Sequence, residues 1–182
     1  MKVFSTPFEG LLILEPDVFV DERGHFSEAY SYQRLKDHGI DIRFLQDNQS
    51  YSKKGVIRGL HYQSAPKAQT KLVRVLHGVI IDIVVDLRKE QATFGMVHSV
   101  EMSKENGKQI LVPKGFAHGF SVVSESAEVL YKCDELYTPS CEGGIHFDDP
   151  DLKIDWRVSG KDRIVSPKDK ALPRLKDAKY FF

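Results

Sequence analysis

An all-β jelly roll or barrel is the fold class this sequence predicts, and three observations predict it. Short runs rich in β-branched and aliphatic residues recur along the chain. Turn residues separate them at regular spacing, as in antiparallel strands rather than an α/β layout. Only Tyr32 to His38, stopped by Gly39, carries a clear helical pattern, with a weaker signal near the C-terminus.

The elements follow in order. Strands are expected at Leu11 to Leu14 and Gly24 to Ala29, then the helix, then a strand from Gly55 to Tyr62. Leu72 to Leu76 and Val79 to Leu87 read as a hairpin joined at His77-Gly78, with glycine supplying a positive φ. In the second run Asp82, Val84, Asp86 and Arg88 alternate with Ile81, Ile83, Val85 and Leu87, the pattern of a strand with one face in a core. Asp82 and Asp86, beside Arg74 and Arg88, are expected to form cross-strand ion pairs at the surface or an interface. Met96 to Met102, Gln109 to Val112, Gly119 to Val123 and Glu128 to Tyr137 complete the strands. On one uninterrupted strand Tyr131 and Tyr137 would share a face and could be a core pair.

A chain of 182 residues is the size of one ordinary domain, so residues 1–182 are read as a single unit. Lys plus Arg and Asp plus Glu both count 26, so no global field favours nucleic acid or an acidic membrane. Any anionic ligand must be held by local groups. Cys133 and Cys141 are too few for a disulfide framework and are expected to stay reduced. The opening Met1 to Pro7 has no apolar run of signal-peptide length, and no segment is long enough to span a bilayer, so a cytoplasmic protein is expected. No repeat, low-complexity tract or Gly/Ser linker marks a boundary.

Two motifs carry chemistry. Arg58-Gly59-Leu60-His61-Tyr62-Gln63 sets a histidine among a fixed cation, a phenol and an amide. Pro113-Lys114-Gly115-Phe116-Ala117-His118-Gly119-Phe120 delivers a second histidine from a glycine-punctuated aromatic strand. Either histidine alone is more often a hydrogen-bonded barrel residue than a catalyst. Their spacing to glycine and proline reverses that, because Gly107, Pro113, Gly115 and His118 are spaced as in the second motif of the cupin superfamily, which the chain resembles. Gly55 and His61 fit the first cupin motif. The usual second metal histidine is Gln63 here, however, and the usual metal glutamate is Lys71, whose charge would repel a divalent cation. A cupin-type jelly-roll barrel with a few short flanking helices and no metal or other cofactor is the expectation.

Nearly end to end, the chain is similar to the dTDP-4-dehydrorhamnose 3,5-epimerase family. Asp21-Glu22-Arg23-Gly24-His25-Phe26, Gln46-Asp47-Asn48, Arg58 to Gln63, Pro113 to Phe120, Tyr137-Thr138-Pro139, Asp149-Pro150 and Ser166-Pro167-Lys168-Asp169 recur in the family's order. Pro167 departs from the acidic residue usual there. The resemblance implies cofactor-free epimerisation of dTDP-4-keto-6-deoxy-D-glucose to dTDP-4-keto-L-rhamnose. Both reacting carbons, C3 and C5, lie α to a carbonyl, and histidine titrates near the operating range. The resemblance makes His61 the base, Asp169 its hydrogen-bond partner and Tyr131 the opposing acid, with Lys71, helped by His118, facing the enolate oxygen. For substrate holding it implies Arg23, Arg58 and Lys168 on the diphosphate, Glu28, Gln46, Asp47, Asn48 and Glu142 as polar contacts, and Tyr137 and Phe26 as faces for the thymine. It further implies a homodimer with exchanged N-terminal strands, and no nucleic-acid or membrane partner. The rival readings are an epimerase acting at C3 or C5 only, a metal-dependent cupin oxygenase, and a non-catalytic sugar-nucleotide-binding jelly roll.

Overall fold

Two antiparallel sheets face one another, and the apolar runs of the sequence supply most of their strands. The computed structural model describes every residue except Tyr180 and Phe181. The strands are β1 (Lys2–Ser5), β2 (Leu12–Glu15), β3 (Val18–Asp21), β4 (Gly24–Ser27), β5 (Gln46–Lys53), β6 (Val56–Gln63) and β7 (Lys71–His77). They continue with β8 (Val79–Asp86), β9 (Val97–Ser103), β10 (Gln109–Val112), β11 (Phe116–Val122), β12 (Ser126–Cys133), β13 (Glu142–Gly144) and β14 (Ile164–Val165). Two short helices, α1 (Tyr32–Asp37) and α2 (Pro167–Lys170), flank them. One sheet runs β1-β2-β10-β7-β12-β5 and the other β13-β6-β11-β8-β9, with β14 parallel to β6; β3 and β4 form a separate ribbon. From β5 to β13 the chain changes sheet at every step except β8 to β9. That alternation is a jelly roll of the cupin kind, as expected.

Three sequence expectations need correction. β7 and β8 are not a hairpin: they lie in different sheets, and His77-Gly78 is a crossover. Glycine is still required there, because φ is +77° and a Cβ would sit 2.0 Å from the Ser126 carbonyl. Nor does β8 have a wet face. Ile80 and Val84 pack in the space between the sheets, while Ile81, Ile83, Val85 and Leu87 pack outside against Trp156, Leu152 and Ile145 from the C-terminal third. Asp82 and Asp86 are therefore fully buried: Asp82 bonds His118, and Asp86 bonds Arg88 and Thr93. Among the described residues neither carboxylate pairs with Arg74. Finally, β12 ends at Cys133, so Tyr137 stands in the following loop and is no core partner of Tyr131.

The polar strand β5 gave no apolar signal. Its residues alternate between exposed and partly buried because one face lines a cavity rather than a core. A third apolar cluster, Leu14, Leu35, Ile40, Leu72 and Leu111, docks α1 on the outside of the first sheet. Among the described residues no helix is long and apolar enough to cross a membrane.

A β-bulge positions the site. His118 pairs with His61 and Phe120 pairs with Arg58, so two residues of β11 span three of β6. In a regular strand residues three apart point to opposite faces. The extra residue lets Arg58 and His61 face the same cavity. Gly59 makes this possible, with φ +126° and its Cα so close to β11 that a Cβ would lie 2.5 Å from Gly119 Cα. A Gly59→Ala variant is expected to lose roughly 2 kcal/mol or more of unfolding free energy in urea titration; a midpoint equal to wild type would show that the two strands do not need this approach.

Candidate active site

The site is assembled around a carboxylate contributed from far along the chain. Ser166 caps α2 by accepting the Asp169 amide at 3.0 Å, and Pro167 suits the first helical position, which accounts for the proline in this motif. Asp169, 4% exposed, then reaches β6. Its Oδ1 lies 2.8 Å from His61 Nε2 and its Oδ2 accepts the Gly59 N–H at 3.2 Å. A carboxylate only accepts, so Nε2 carries a proton, and in the neutral ring Nδ1 is then the acceptor. Burial pushes the Asp169 pKa up, but the hydrogen bond and charge of His61, the Gly59 amide and Ser166 outweigh it and hold the carboxyl below its ordinary value.

Facing strands complete the constellation. His118 stands opposite His61 on β11, and its Nε2 is bonded to Asp82 at 2.8 Å. From β7, Lys71 reaches towards the His61 carbonyl, with its Nζ 3.5 Å away. Part of Lys71 opens onto the cavity, yet protein surrounds its ammonium and burial pushes the pKa down, against the pull of Cys133, Asp82 and Glu142. Tyr131 projects from β12, and burial pushes its phenol pKa up, which keeps it protonated at neutral pH. Its hydroxyl has no hydrogen-bond partner among the described residues. His61, Lys71, His118, Tyr131, Arg58, Lys168 and Asp169 line one cavity of about 650 Å³, a size that accepts a small organic ligand.

A second hollow of about 210 Å³ adjoins it and shares His61, Lys71 and Tyr131. Gln46, Asn48, Tyr137 and Glu142 line this part. The Tyr137 amide donates to Gln46 Oε1 at 3.0 Å, Gln46 donates to Asn48 Oδ1 at 2.9 Å, and Asn48 donates to Cys133 Sγ at 3.7 Å, which fixes both carboxamides. At the rim Glu142 accepts from Tyr137 Oη at 2.8 Å and from Lys168 Nζ at 2.7 Å. Burial pushes the Glu142 pKa up, but Lys168 and Tyr137 outweigh it and hold it below the ordinary carboxylate range.

Not every expected residue arrives. Asp47 points to the other face of β5 and pairs with Lys132 at 2.9 Å, because neighbours on a strand alternate. Arg23, Phe26 and Glu28 are exposed on or beside the β3–β4 ribbon and do not line the cavity of their own chain; Arg23 pairs with Asp21, and Glu28 with Arg34 at 2.7 Å. Asp149 is structural, accepting the Leu175 amide at 2.7 Å. Sequence reasoning missed Ser50, which lines the cavity, and the role of the Gly59 amide; the polarity of β5 and the glycine before Leu60 were the available signals.

The donor set does not fit a cupin metal. Gln63, at one ligand position, is buried and fully engaged: its amide donates to Lys67 O at 2.7 Å and Leu136 O at 3.2 Å, and its oxygen accepts the Thr138 amide at 2.7 Å. Lys71 occupies another position with a cation. Among the described residues no group of three His, Cys, Asp or Glu side chains could hold a metal ion.

A jelly roll that gathers a tethered imidazole, a phenol and a buried ammonium around one cavity defines a cupin-like protein with an ionisable site. The chain belongs to the dTDP-4-dehydrorhamnose 3,5-epimerase family, whose model matches residues 5–177. It is 48% identical over 179 residues to the dTDP-4-dehydrorhamnose 3,5-epimerase of Salmonella typhimurium, covering 98% of this chain and 97% of that one. The crystal structure of the enzyme from Elizabethkingia anophelis superposes with a TM-score of 0.93 at 47% identity, covering 97% of each chain. A dTDP-6-deoxy-D-glucose-3,5-epimerase from Legionella pneumophila, solved in complex with dTDP-4-keto-L-rhamnose, gives 0.92 at 46% identity, covering 97% of this chain and 93% of that one. Membership makes the chain an isomerase acting on a sugar nucleotide.

Because the folded-state pKa of Asp169 lies below its ordinary 3.8, its contribution to stability is complete above that value and is lost as pH falls through the folded one. Asp169→Asn is expected to be clearly less stable than wild type in urea at about pH 6, with the gap closing toward about pH 2. A gap independent of pH would contradict the charged contact.

Proposed function

We propose that this chain inverts C3 and C5 of dTDP-4-keto-6-deoxy-D-glucose with its own side chains and no cofactor, the whole chain working as one domain. His61 Nδ1 takes the proton from the carbon α to the C4 carbonyl, and the C–H electrons move to the carbonyl oxygen as an enolate. The Lys71 ammonium, with His118, meets that developing charge. Tyr131 returns a proton from the opposite face, and solvent resets both groups before the second carbon reacts. The observation that carries this reading is the 2.8 Å contact between His61 Nε2 and Asp169. It leaves a bare nitrogen in a cavity shared with a protonated phenol, and a base and an acid of this kind each contribute about 10²–10⁴ in rate.

Substrate contacts follow the cavity. Arg58 and Lys168 suit the diphosphate, Gln46, Asn48 and Glu142 the polar groups of nucleoside and sugar, and Tyr137 the face of the thymine. Arg23, Phe26 and Glu28 serve the neighbouring subunit in a homodimer that exchanges N-terminal strands. What supports this is the ribbon itself: Val18, Phe19, Val20 and Phe26 are all more than half exposed, a patch that solitary soluble chains avoid.

In D2O, wild type is expected to place deuterium at both C3 and C5 with inversion. His61→Ala should cut kcat by about 10³ with affinity changed only a few-fold, whereas Tyr131→Phe should wash deuterium in without inverting the carbon. A His61→Ala variant with wild-type exchange would sink the assignment. For the assembly, sedimentation of Phe19→Asp should shift the mass toward the monomer; a wild type that sediments as a monomer would contradict the exchanged ribbon.

A further inference from the structure

The loop that carries Tyr137 has little of its own to hold it in place. Residues 134–138, between β12 and Pro139, form no regular element, and Leu136 and Tyr137 are each more than half exposed, so neither is anchored in a core. Among the described residues no backbone–backbone hydrogen bond reaches residues 135–137. A segment of this kind is ordinarily free to sample many conformations, and a ligand that used it would have to order it first.

Glutamine side chains supply the missing restraint. The Gln63 carboxamide, at the end of β6, donates to the Leu136 carbonyl at 3.2 Å and accepts the Thr138 amide at 2.7 Å, so one head group brackets Tyr137 on both sides in sequence. Its second N–H donates to the Lys67 carbonyl at 2.7 Å and ties it to the loop before β7. From that same loop Gln69 donates to the Glu135 carbonyl at 2.8 Å, while Gln46 of β5 accepts the Tyr137 amide at 3.0 Å. Every residue from Glu135 to Thr138 therefore has a backbone group held by a glutamine. The far end of the ring is fixed as well, because Tyr137 Oη donates to Glu142 at 2.8 Å.

We infer that Gln63 and Gln69 are positioning residues that set the 135–138 loop in advance, so that Tyr137 stands ready at the hollow before a flat ring arrives and the ligand does not bear the cost of ordering it. The inference rests on the reading of Tyr137 as the face for the thymine. Gln63 acts through the loop and not on the ligand: it is buried, and both of its N–H groups are engaged by carbonyls. Its chemistry also accounts for an amide at a position where cupins hold a metal ligand. Three bonds from one head group need two donors and an acceptor, which a carboxamide has and a neutral imidazole, with one of each, lacks.

The test is a double-mutant cycle on dTDP affinity, read by calorimetry in wild type, Gln63→Met, Tyr137→Ala and the pair. Gln63→Met keeps the volume and removes the loop contacts, so dTDP is expected to bind about 10-fold more weakly, with KM for the sugar nucleotide rising and kcat kept within about threefold. In the Tyr137→Ala background the same change should cost less than about twofold, because no ring is left to position. Wild-type affinity in Gln63→Met, or an equal loss in both backgrounds, overturns the inference. Should Gln63→Met not fold, Gln69→Ala takes its place in the cycle: a loss confined to the background that keeps Tyr137 supports the inference, and an equal loss or none overturns it. The Tyr137→Ala arm alone tests the reading beneath it, since undiminished dTDP affinity there would remove Tyr137 from the thymine site whatever the glutamines do.

Discussion

One carboxylate ties the fold to the chemistry. Asp169 accepts a hydrogen bond from the Gly59 amide with one oxygen and bonds His61 with the other. The first contact holds the bulge that swings Arg58 and His61 onto one face, and the second selects the imidazole tautomer. Both depend on α2, which is only four residues long and is held by the Ser166 cap, and on β14, which runs parallel to β6 just before it. The C-terminal third is thus more than a cover for the outer face of the second sheet. It delivers the carboxylate that bonds His61.

Charge inside the barrel is arranged in neighbouring pairs. Asp169 faces His61, Asp82 faces His118, and Glu142 faces Lys168 and Tyr137, while Lys71 stands among them with no carboxylate among the described residues bonded directly to it. Such a layout suits a reaction in which negative charge appears transiently on a carbonyl oxygen, because the cation is not already neutralised in contact. It suits a divalent metal poorly, since the two positions that depart from the cupin ligand pattern hold an engaged amide and a cation. The jelly roll supplies rigidity: the side chains stand on strands whose outer faces are packed by separate apolar clusters.

Much of this was legible in the chain. The apolar runs gave nine strands to within a few residues, and the histidine motifs pointed to two strands that prove to be hydrogen-bonded neighbours. What stayed hidden was the pairing. His77-Gly78 has hairpin chemistry, yet only the packed structure shows that the chain crosses between sheets there. The alternation of β8 suggested a wet face because Asp82 and Asp86 are charged, and it took their buried partners His118 and Arg88 to place them inside. β5 was missed because a strand lining a polar cavity has no apolar signature. Asp47 was drawn in by its neighbours Gln46 and Asn48, although strand alternation sends it the other way. The His61–Asp169 contact, 108 residues apart in sequence, came from resemblance alone.

The protonation of His61 is the central point of the site. The most direct measurement is the pair of ring 15N chemical shifts of His61 at neutral pH in the free protein, read from a selectively labelled sample. A protonated Nε2 with a bare Nδ1 is the expected result, since Asp169 can only accept. A bare Nε2, with the proton on Nδ1, would contradict the account, because the nitrogen available to the substrate would then hold a proton instead of taking one.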